Sequence, residues 1–234
     1  MIVALLAMLL PFVAHASVRI TDMRINGLVN PCGTDPDGKT VFSWVLFSDK
    51  PETMQTAYRI MVYSQNKKLW DTGKVMSDRS IDVTYDSTLL PDTEYSWTLQ
   101  VWDNHGSASK KMTSTWQTGI RPADWKAEWV SASDSTLPAY FRKGISLSKK
   151  VRKATAYITS HGLYEAYVNG SRIGNDELTP GWTSYFKRLQ YQAYDVTRML
   201  QQGRNSLAAV VSPGWYSGSM GTGNPKNRYK YGKD

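Results

Sequence analysis

Residues 161–185 of this 234-residue chain have the sequence HGLYEAYVNGSRIGNDELTPGWTSY. Within it, residues 163–168 alternate with the period of two that is typical of a strand with one buried face. An Asn-Gly pair follows at once, and this dipeptide is the strongest short-range signal for a tight hairpin. Ile173 is expected to begin the return strand, and a Pro-Gly pair then places Trp182 on a loop. The stretch therefore predicts an antiparallel hairpin in an all-β fold.

A second stretch repeats the same corner further along the chain. Residues 191–218 have the sequence YQAYDVTRMLQQGRNSLAAVVSPGWYSG. It predicts a strand, a short helical turn, and a second strand that ends at another Pro-Gly pair followed by Trp215 and Tyr216. Two Pro-Gly-Trp corners in a β framework are typical of the rim of a sandwich.

The first half of the chain, residues 17–119, alternates short apolar segments with turn signals. The loop NPCGTDPDGK is not expected to pair, because its Pro, Gly and Asp residues favour turns. Seven strands in about 100 residues are typical of a fibronectin-III or immunoglobulin-like sandwich. The predicted strands are VRITDMRING, TVFSWVLF, YRIMVYS, LWDTGKV, SIDVTY, EYSWTLQVWDN and KMTSTWQTG.

One segment of this first module, LPDTEY, resembles the corner that enters the sixth strand of fibronectin-III domains, with Tyr95 as the corner tyrosine. Tyr95 would share one strand face with Trp97, Leu99 and Val101, because side chains alternate along a strand. We expect that face to form the core, with Trp44 as its packing partner. No residue of this first module indicates a chemical role, so we interpret the module as a structural spacer or an interaction module.

The net charge of +8 is concentrated in the second half of the chain. Residues 1–120 contain 11 basic and 12 acidic side chains, whereas residues 121–234 contain 17 and 8. This asymmetry supports two modules joined by a linker at residues 120–124. The basic run KKVRK is too short to define a nucleic-acid surface, and no such partner is expected. Acidic polysaccharides stay open as partners.

Residues 1–16, MIVALLAMLLPFVAHA, form an uncharged apolar run that ends in a small-x-small pattern. This predicts a signal peptide cleaved near Ala16, a secreted or periplasmic product and no membrane span. Cys32 is the only cysteine, which excludes an internal disulfide. We expect no zinc site and no cofactor, since only His105 and His161 would remain as imidazole ligands. A calcium site in the loops is left open.

The segments GLYEAYVNGSRIG, LTPGWTSYFKRLQYQAYDVTRMLQQGRNSL and GWYSG closely resemble the N-terminal β-sandwich module of bacterial α-L-rhamnosidases. The resemblance begins near Trp125, where WKAEWVSA is similar to the entry strand of that module. It implies a partial jelly-roll-type sandwich at residues 125–234, with about six strands where eight are usual. We therefore expect a fragment that ends inside the second module.

In that family, catalysis lies in an (α/α)6 barrel, where acidic residues remove terminal α-L-rhamnose from glycosides with inversion. The resemblance implies that the barrel would follow this segment and that the chain is the noncatalytic N-terminal part of a secreted α-L-rhamnosidase. Its expected partners are rhamnose-containing glycosides or polysaccharides and the missing catalytic domain. The alternative is a freestanding carbohydrate-binding or adhesion protein made of two sandwiches.

No catalytic residue is expected, because hydrolysis of a glycoside requires two carboxyl groups across one bond. Asp176 and Glu177 are adjacent and would face opposite sides of a strand, and Asp195 is predicted to cap the helical turn. Aromatic rings on a rim can stack on sugars while polar groups fix the hydroxyls. The alternative is that the tryptophans pack under loops or against the barrel. The carbohydrate-binding candidates are Trp182, Tyr185, Trp215, Tyr216, Asn169 and Asp176.

Overall fold

The computed structural model describes residues 18–132, 138–218 and 231–232. Two compact units meet between Thr118 and Gly119. Both are built from β-strands, with two short 3-10 turns and one helical turn among the described residues, so the predicted all-β class is confirmed. None of the described helices is long and apolar enough to cross a bilayer. The predicted signal peptide lies outside the described residues.

The first unit is a two-sheet sandwich. One sheet has the order β1-β3-β7, and the other has the order β2-β9-β8-β4-β5, with β6 also paired to β4. All seven predicted strands are present, and the predicted LWDTGKV strand is divided into β5 and β6. The strand bounds are β1 Arg19–Ile25, β2 Cys32–Thr34, β3 Thr40–Phe47, β4 Gln55–Ser64, β5 Lys67–Asp71, β6 Val75–Met76, β7 Val83–Tyr85, β8 Glu94–Asp103 and β9 Met112–Thr118.

The core of the first unit follows the alternation of β8. Tyr95, Trp97, Leu99 and Val101 are all buried, while the side chains between them are more exposed. The Trp97 ring lies 4.6 Å from Phe42 on the facing sheet, measured between ring centroids. The predicted core face is therefore confirmed. The predicted partner Trp44 belongs to the same cluster.

The corner before β8 is held by the predicted tyrosine. The backbone N–H of Leu90 donates to Tyr95 Oη at 2.8 Å. The Tyr95 ring also stacks on Trp116 at 4.9 Å between centroids, with the planes 19° apart. The hydrogen bond to the upstream backbone is the defining contact of a tyrosine corner.

The loop NPCGTDPDGK is not entirely unpaired, and here the sequence prediction was wrong. Its residues Cys32–Thr34 form β2, which pairs in parallel with β9. Gly33 has a φ of 89°, and the register shifts between Cys32 and Thr34. A glycine in the left-handed region lets this segment bend onto the sheet edge.

The second unit contains two antiparallel sheets, one with the order β10-β15-β12-β13 and the other made of β11 and β14. The predicted order of strand, helical turn and strand over residues 191–218 is confirmed. The bounds are β10 Ala139–Leu147, β11 Thr155–Ile158, β12 Leu163–Val168, β13 Ser171–Arg172, β14 Gln192–Asp195, β15 Gly203–Ser212 and α1 Gly214–Ser217, with 3-10 turns at Pro122–Asp124 and Thr197–Met199.

The predicted Asn-Gly hairpin joins β12 to β13. Asn169 and Gly170 have φ values of 52° and 84°. Positive φ at both central residues is the requirement of a type I′ turn. The return strand begins at Ser171, which pairs with Val168, two residues earlier than predicted.

The segment WKAEWVSA, residues 125–132, is not the strand that its alternation predicts. Trp125 closes the preceding 3-10 turn through its backbone N–H. Its ring then packs edge-on against Tyr191, with centroids 5.5 Å apart. The two tryptophans of this segment contact other rings, although most of the segment is exposed and it forms no ladder of backbone hydrogen bonds.

The two sheets of the second unit enclose a small core. Tyr164, Ala166 and Val168 of β12 are buried there, together with Ile173 and Val196. The side chains that β10 and β15 direct to the same sheet face are less covered, since Phe141, Ala209 and Val211 remain partly exposed. The interior face of the four-stranded sheet is therefore only partly covered by the described residues.

Candidate functional site

A groove of about 1090 Å³ lies on the partly covered face of the second unit. Its floor is formed by Ala139 and Phe141 of β10, which pair in register with Val211 and Ala209 of β15. Residues 127–132 form one of its sides. Because these floor residues share the inner face of the sheet, the groove continues the apolar interior of the sandwich.

Three aromatic rings are stacked at the edge of this groove. The His161 ring lies 4.4 Å from Trp129 and 4.2 Å from Tyr216 between centroids, with the planes 21° and 9° apart. His161 precedes β12, Tyr216 lies on α1, and Trp129 belongs to the irregular segment. Trp129 keeps 63% of its surface exposed, so the stack presents an open aromatic ring.

The imidazole in this stack is favoured in its neutral form. Burial lowers the pKa of His161 below the ordinary value of 6.5. The rings of Trp129 and Tyr216 lie on its two sides, and Glu128 is the carboxylate among the described residues that line the groove. Hydrolysis of a glycoside requires two carboxyl groups, so this lining does not form a hydrolytic pair.

His161 is expected to make the second unit acid-sensitive. The unfolded chain protonates near pH 6.5 and the folded chain at a lower pH. The stability that the neutral imidazole contributes is therefore present above the unfolded pKa and is lost as pH falls through the folded pKa. The melting temperature should fall from about pH 7.5 to about pH 5.5, and His161→Phe should reduce that fall. An unchanged pH slope in the variant would contradict this assignment.

Two of the predicted rim residues meet in the structure. The Tyr185 ring contacts Tyr216 edge-on at 5.5 Å between centroids, and Tyr185 Oη donates to the Gly181 carbonyl at 3.3 Å. Trp215 is half-buried on α1, and Trp182 is 57% exposed on its loop. Of the predicted aromatic residues, Tyr216 alone lines the groove within the described residues.

The two predicted polar residues make contacts that hold the fold. The Asn169 side chain donates to the Met199 carbonyl and to Asn205 Oδ1, at 2.8 and 2.9 Å, and accepts from the Ser206 N–H at 2.8 Å. Asp176 accepts from Tyr194 Oη at 2.9 Å. Neither residue lines the groove. Their role in sugar binding remains a prediction.

The sequence analysis did not identify Trp129, His161 or Phe141 as site residues. The residues around Trp129 were assigned to a strand, and Phe141 has the ordinary alternation of a core residue. The sequence did contain a signal for this site, because each of the three stacked rings lies in an aromatic-rich segment that flanks a strand. The stacking itself depends on contacts between distant parts of the chain. No group of three or more His, Cys, Asp or Glu side chains in the described ranges could hold a metal ion.

Two family models match this chain. Residues 20–122 match the Rha78A-like N-terminal immunoglobulin domain, and residues 149–234 match the α-L-rhamnosidase N-terminal domain. The first match agrees with the predicted immunoglobulin-like sandwich. The two matches fall in the two units of the structure.

Similar proteins extend far beyond the matched region. An α-L-rhamnosidase from Alteromonas sp. (strain LOR) is 36% identical over 216 residues, which cover 83% of this chain and 23% of that protein. The α-L-rhamnosidase structure from Dictyoglumus thermophilum is 33% identical with a TM-score of 0.75, covering 84% of this chain and 25% of that one. The L-rhamnose complex of the Streptomyces avermitilis α-L-rhamnosidase, 22% identical, has the same fold with a TM-score of 0.72, covering 88% of this chain and 37% of that one. The chain thus spans about a quarter of the length of the Alteromonas and Dictyoglumus proteins.

Proposed function

The chain belongs to the α-L-rhamnosidase family and corresponds to its noncatalytic N-terminal domains, and we propose that it is the scaffold of a secreted enzyme. In this proposal, the groove of the second unit packs against further polypeptide of that enzyme. The observation that carries it is the inner face of the four-stranded sheet, which the described residues cover only in part, since two described strands oppose four. A sandwich is stable when both sheets bury their apolar faces.

The groove floor has the composition of an interior surface. Phe141, Ala209 and Val211 are apolar, and they are partly exposed although they face the same side as the buried core of β12. Completing the burial of a side chain such as phenylalanine contributes up to about 1.5–3 kcal/mol. Contiguous exposed apolar surface of this kind marks an interaction site.

The activity of the whole enzyme is part of the proposal. We assign to it the hydrolysis of terminal α-L-rhamnose from glycosides, because the relatives over this region bear the name α-L-rhamnosidase. The hydrolytic carboxyl groups would lie outside this chain. Export is proposed from the apolar, uncharged sequence of residues 1–16.

A chimera tests the scaffold. The matching N-terminal part of the Alteromonas enzyme is replaced by this chain, and hydrolysis of p-nitrophenyl α-L-rhamnoside is measured. The isolated chain should show only background, while the chimera should be active. In the chimera, Phe141→Asp should lower activity by at least about tenfold, because it places a charge in the docked surface.

Tyr140→Asp is the matched control, since Tyr140 is 77% exposed and is the neighbour of Phe141 on the opposite face of β10. It should leave the activity of the chimera within about twofold. Circular dichroism of the two isolated variant chains checks that both fold. Equal activity of both chimeric variants, or hydrolysis by the isolated chain, would contradict the proposal.

Carbohydrate contact is a second candidate function, favoured by the aromatic stack. The exposed ring of Trp129 offers the kind of surface on which the apolar face of a sugar stacks. Calorimetric titration of the chain with L-rhamnose tests it. Saturable heat that is lost in Trp129→Ala and kept in Trp182→Ala would place a sugar at the groove. Heat equal to dilution in a folded chain would leave the stack as packing.

A further inference from the structure

A second concavity, of about 680 Å³, lies on the outer face of the same four-stranded sheet. Gly144 of β10 and Ser206 of β15 pair in register and form its floor. Both alternate with the inward-facing positions that line the groove, so this concavity, the outer trough, is on the opposite side of the sheet. An ideal Cβ on Gly144 would meet no atom within 4 Å, and the space above the floor is open.

An arginine stands at each end of the outer trough. Arg142 pairs with Ala208 and Arg204 pairs with Ser146, so each arginine lies two register pairs from the floor pair. At about 3.3 Å per residue, the two positions lie about 13 Å apart along the strands. Arg142 Nε donates to Ser206 Oγ at 3.2 Å, which fixes its guanidinium beside the floor.

No carboxylate of the described residues neutralises the two arginines. In the described ranges, neither forms an ion pair, and no carboxylate lines the trough. Arg172 on β13, by contrast, lies within 3.6 Å of Glu165 and 3.0 Å of Glu177. The second half of the chain also has the excess of basic residues, and its positive field would attract anions.

We propose that the outer trough binds an acidic saccharide, a glycan segment with carboxylate or sulfate groups on separate sugar units. Guanidinium groups bind such oxyanions in bidentate geometry. Two arginines at strand positions about 13 Å apart offer separate cations to charges repeated along a chain. The hydroxyls of Ser146 and Ser206 also line the trough and can make polar contacts to the sugar.

The saccharide class rests on the proposed function, because membership in a glycosidase family is the reason to choose a glycan. The trough itself argues against single-stranded nucleic acid. Such sites combine cations with aromatic rings on which bases stack, and none of the described residues that line the trough is aromatic.

Calorimetric titration of the chain with an oligogalacturonate tests the proposal. Saturable binding is expected at low salt, weakening as salt is added, with no binding of a neutral galactose oligomer of equal length. Arg142→Gln with Arg204→Gln should lower affinity by at least about tenfold. The control pair Arg152→Gln with Arg188→Gln removes the same charge from exposed sites elsewhere in the unit and should change affinity by less than about twofold.

A substitution that keeps both arginines distinguishes binding that requires the shape of the trough from binding that requires only positive charge. Gly144→Leu fills the space above the floor without a positive-φ penalty and should also lower affinity by at least about tenfold. Melting curves check that each variant is folded. The proposal would be overturned if the oligogalacturonate did not bind or if the neutral oligomer bound equally well. It would also be overturned if the control pair lost as much affinity, or if polyphosphate or single-stranded DNA bound more tightly. Hydrolysis of a neutral aryl rhamnoside by the chimera is not expected to depend on these arginines. The proposal of a scaffold and the proposal of saccharide binding in the trough can therefore be refuted independently.

Discussion

Trp97→Ala is expected to destabilise the first unit by about 3–5 kcal/mol. The side chain is fully buried between the two sheets and lies against Phe42. Its indole Nε1 has no hydrogen-bond partner among residues 18–132, 138–218 and 231–232, so the variant removes packing and apolar burial. The stability is therefore lost because the variant leaves a cavity at the centre of the sandwich, which neighbouring side chains cannot easily fill.

The measurement is guanidinium unfolding of the chain followed by circular dichroism, with the transitions of the two units fitted separately. Trp102→Ala is the matched control on the same strand. Trp102 lies on the other face of β8, half-exposed, with Lys74 Nζ 4.6 Å above its ring. It should cost about 1 kcal/mol or less, the range of an exposed cation–π contact. Equal losses in the two variants would contradict the assigned core.

Gly162→Ala is expected to destabilise the second unit by at least about 2 kcal/mol more than Gly170→Ala, because it adds a collision to backbone strain. Both glycines have positive φ, 92° and 84°. An added Cβ at Gly162 would collide with the Ser212 carbonyl oxygen and would lie 2.9 Å from that of Pro213. At Gly170 it would meet no atom within 4 Å.

Comparing the two variants separates two contributions to the loss of stability, the backbone strain at positive φ and the collision of the added Cβ. Gly170→Ala should show only the left-handed strain of a non-glycine residue, about 1–2 kcal/mol. Gly162→Ala should also displace the end of β15 and α1, and with it the ring of Tyr216 on His161. Thermal unfolding of both variants measures the difference. Equal stability of the two variants would show that the approach of the chain at Gly162 is not as close as described.

The parts of the fold that sequence predicted correctly depend on local signals. The face of β8 follows from alternation, the corner at Tyr95 from a short motif, and the β12–β13 hairpin from an Asn-Gly pair. Each of these needs only neighbouring residues to define it. The resemblance to α-L-rhamnosidase domains likewise rested on the combination of motifs in the second half.

The parts that sequence did not predict depend on contacts between distant residues. Alternation at residues 125–132 is equally consistent with a strand and with an irregular segment in which Trp125 packs on Tyr191 and Trp129 on His161. Asn169 was a candidate for sugar contact, but its amide bonds to residues 30–37 positions later. Its partners could not be read from the turn motif alone.

We propose that the groove packs against further polypeptide of an α-L-rhamnosidase, and hydroxyl-radical footprinting of the isolated chain and of the chimera tests this packing. Trp129, 63% exposed, and Phe141 should be oxidised in the isolated chain and protected by about tenfold in the chimera, while Met76, 72% exposed in the first unit, serves as the reference. Equal oxidation of the groove residues in an active, folded chimera would contradict the claim.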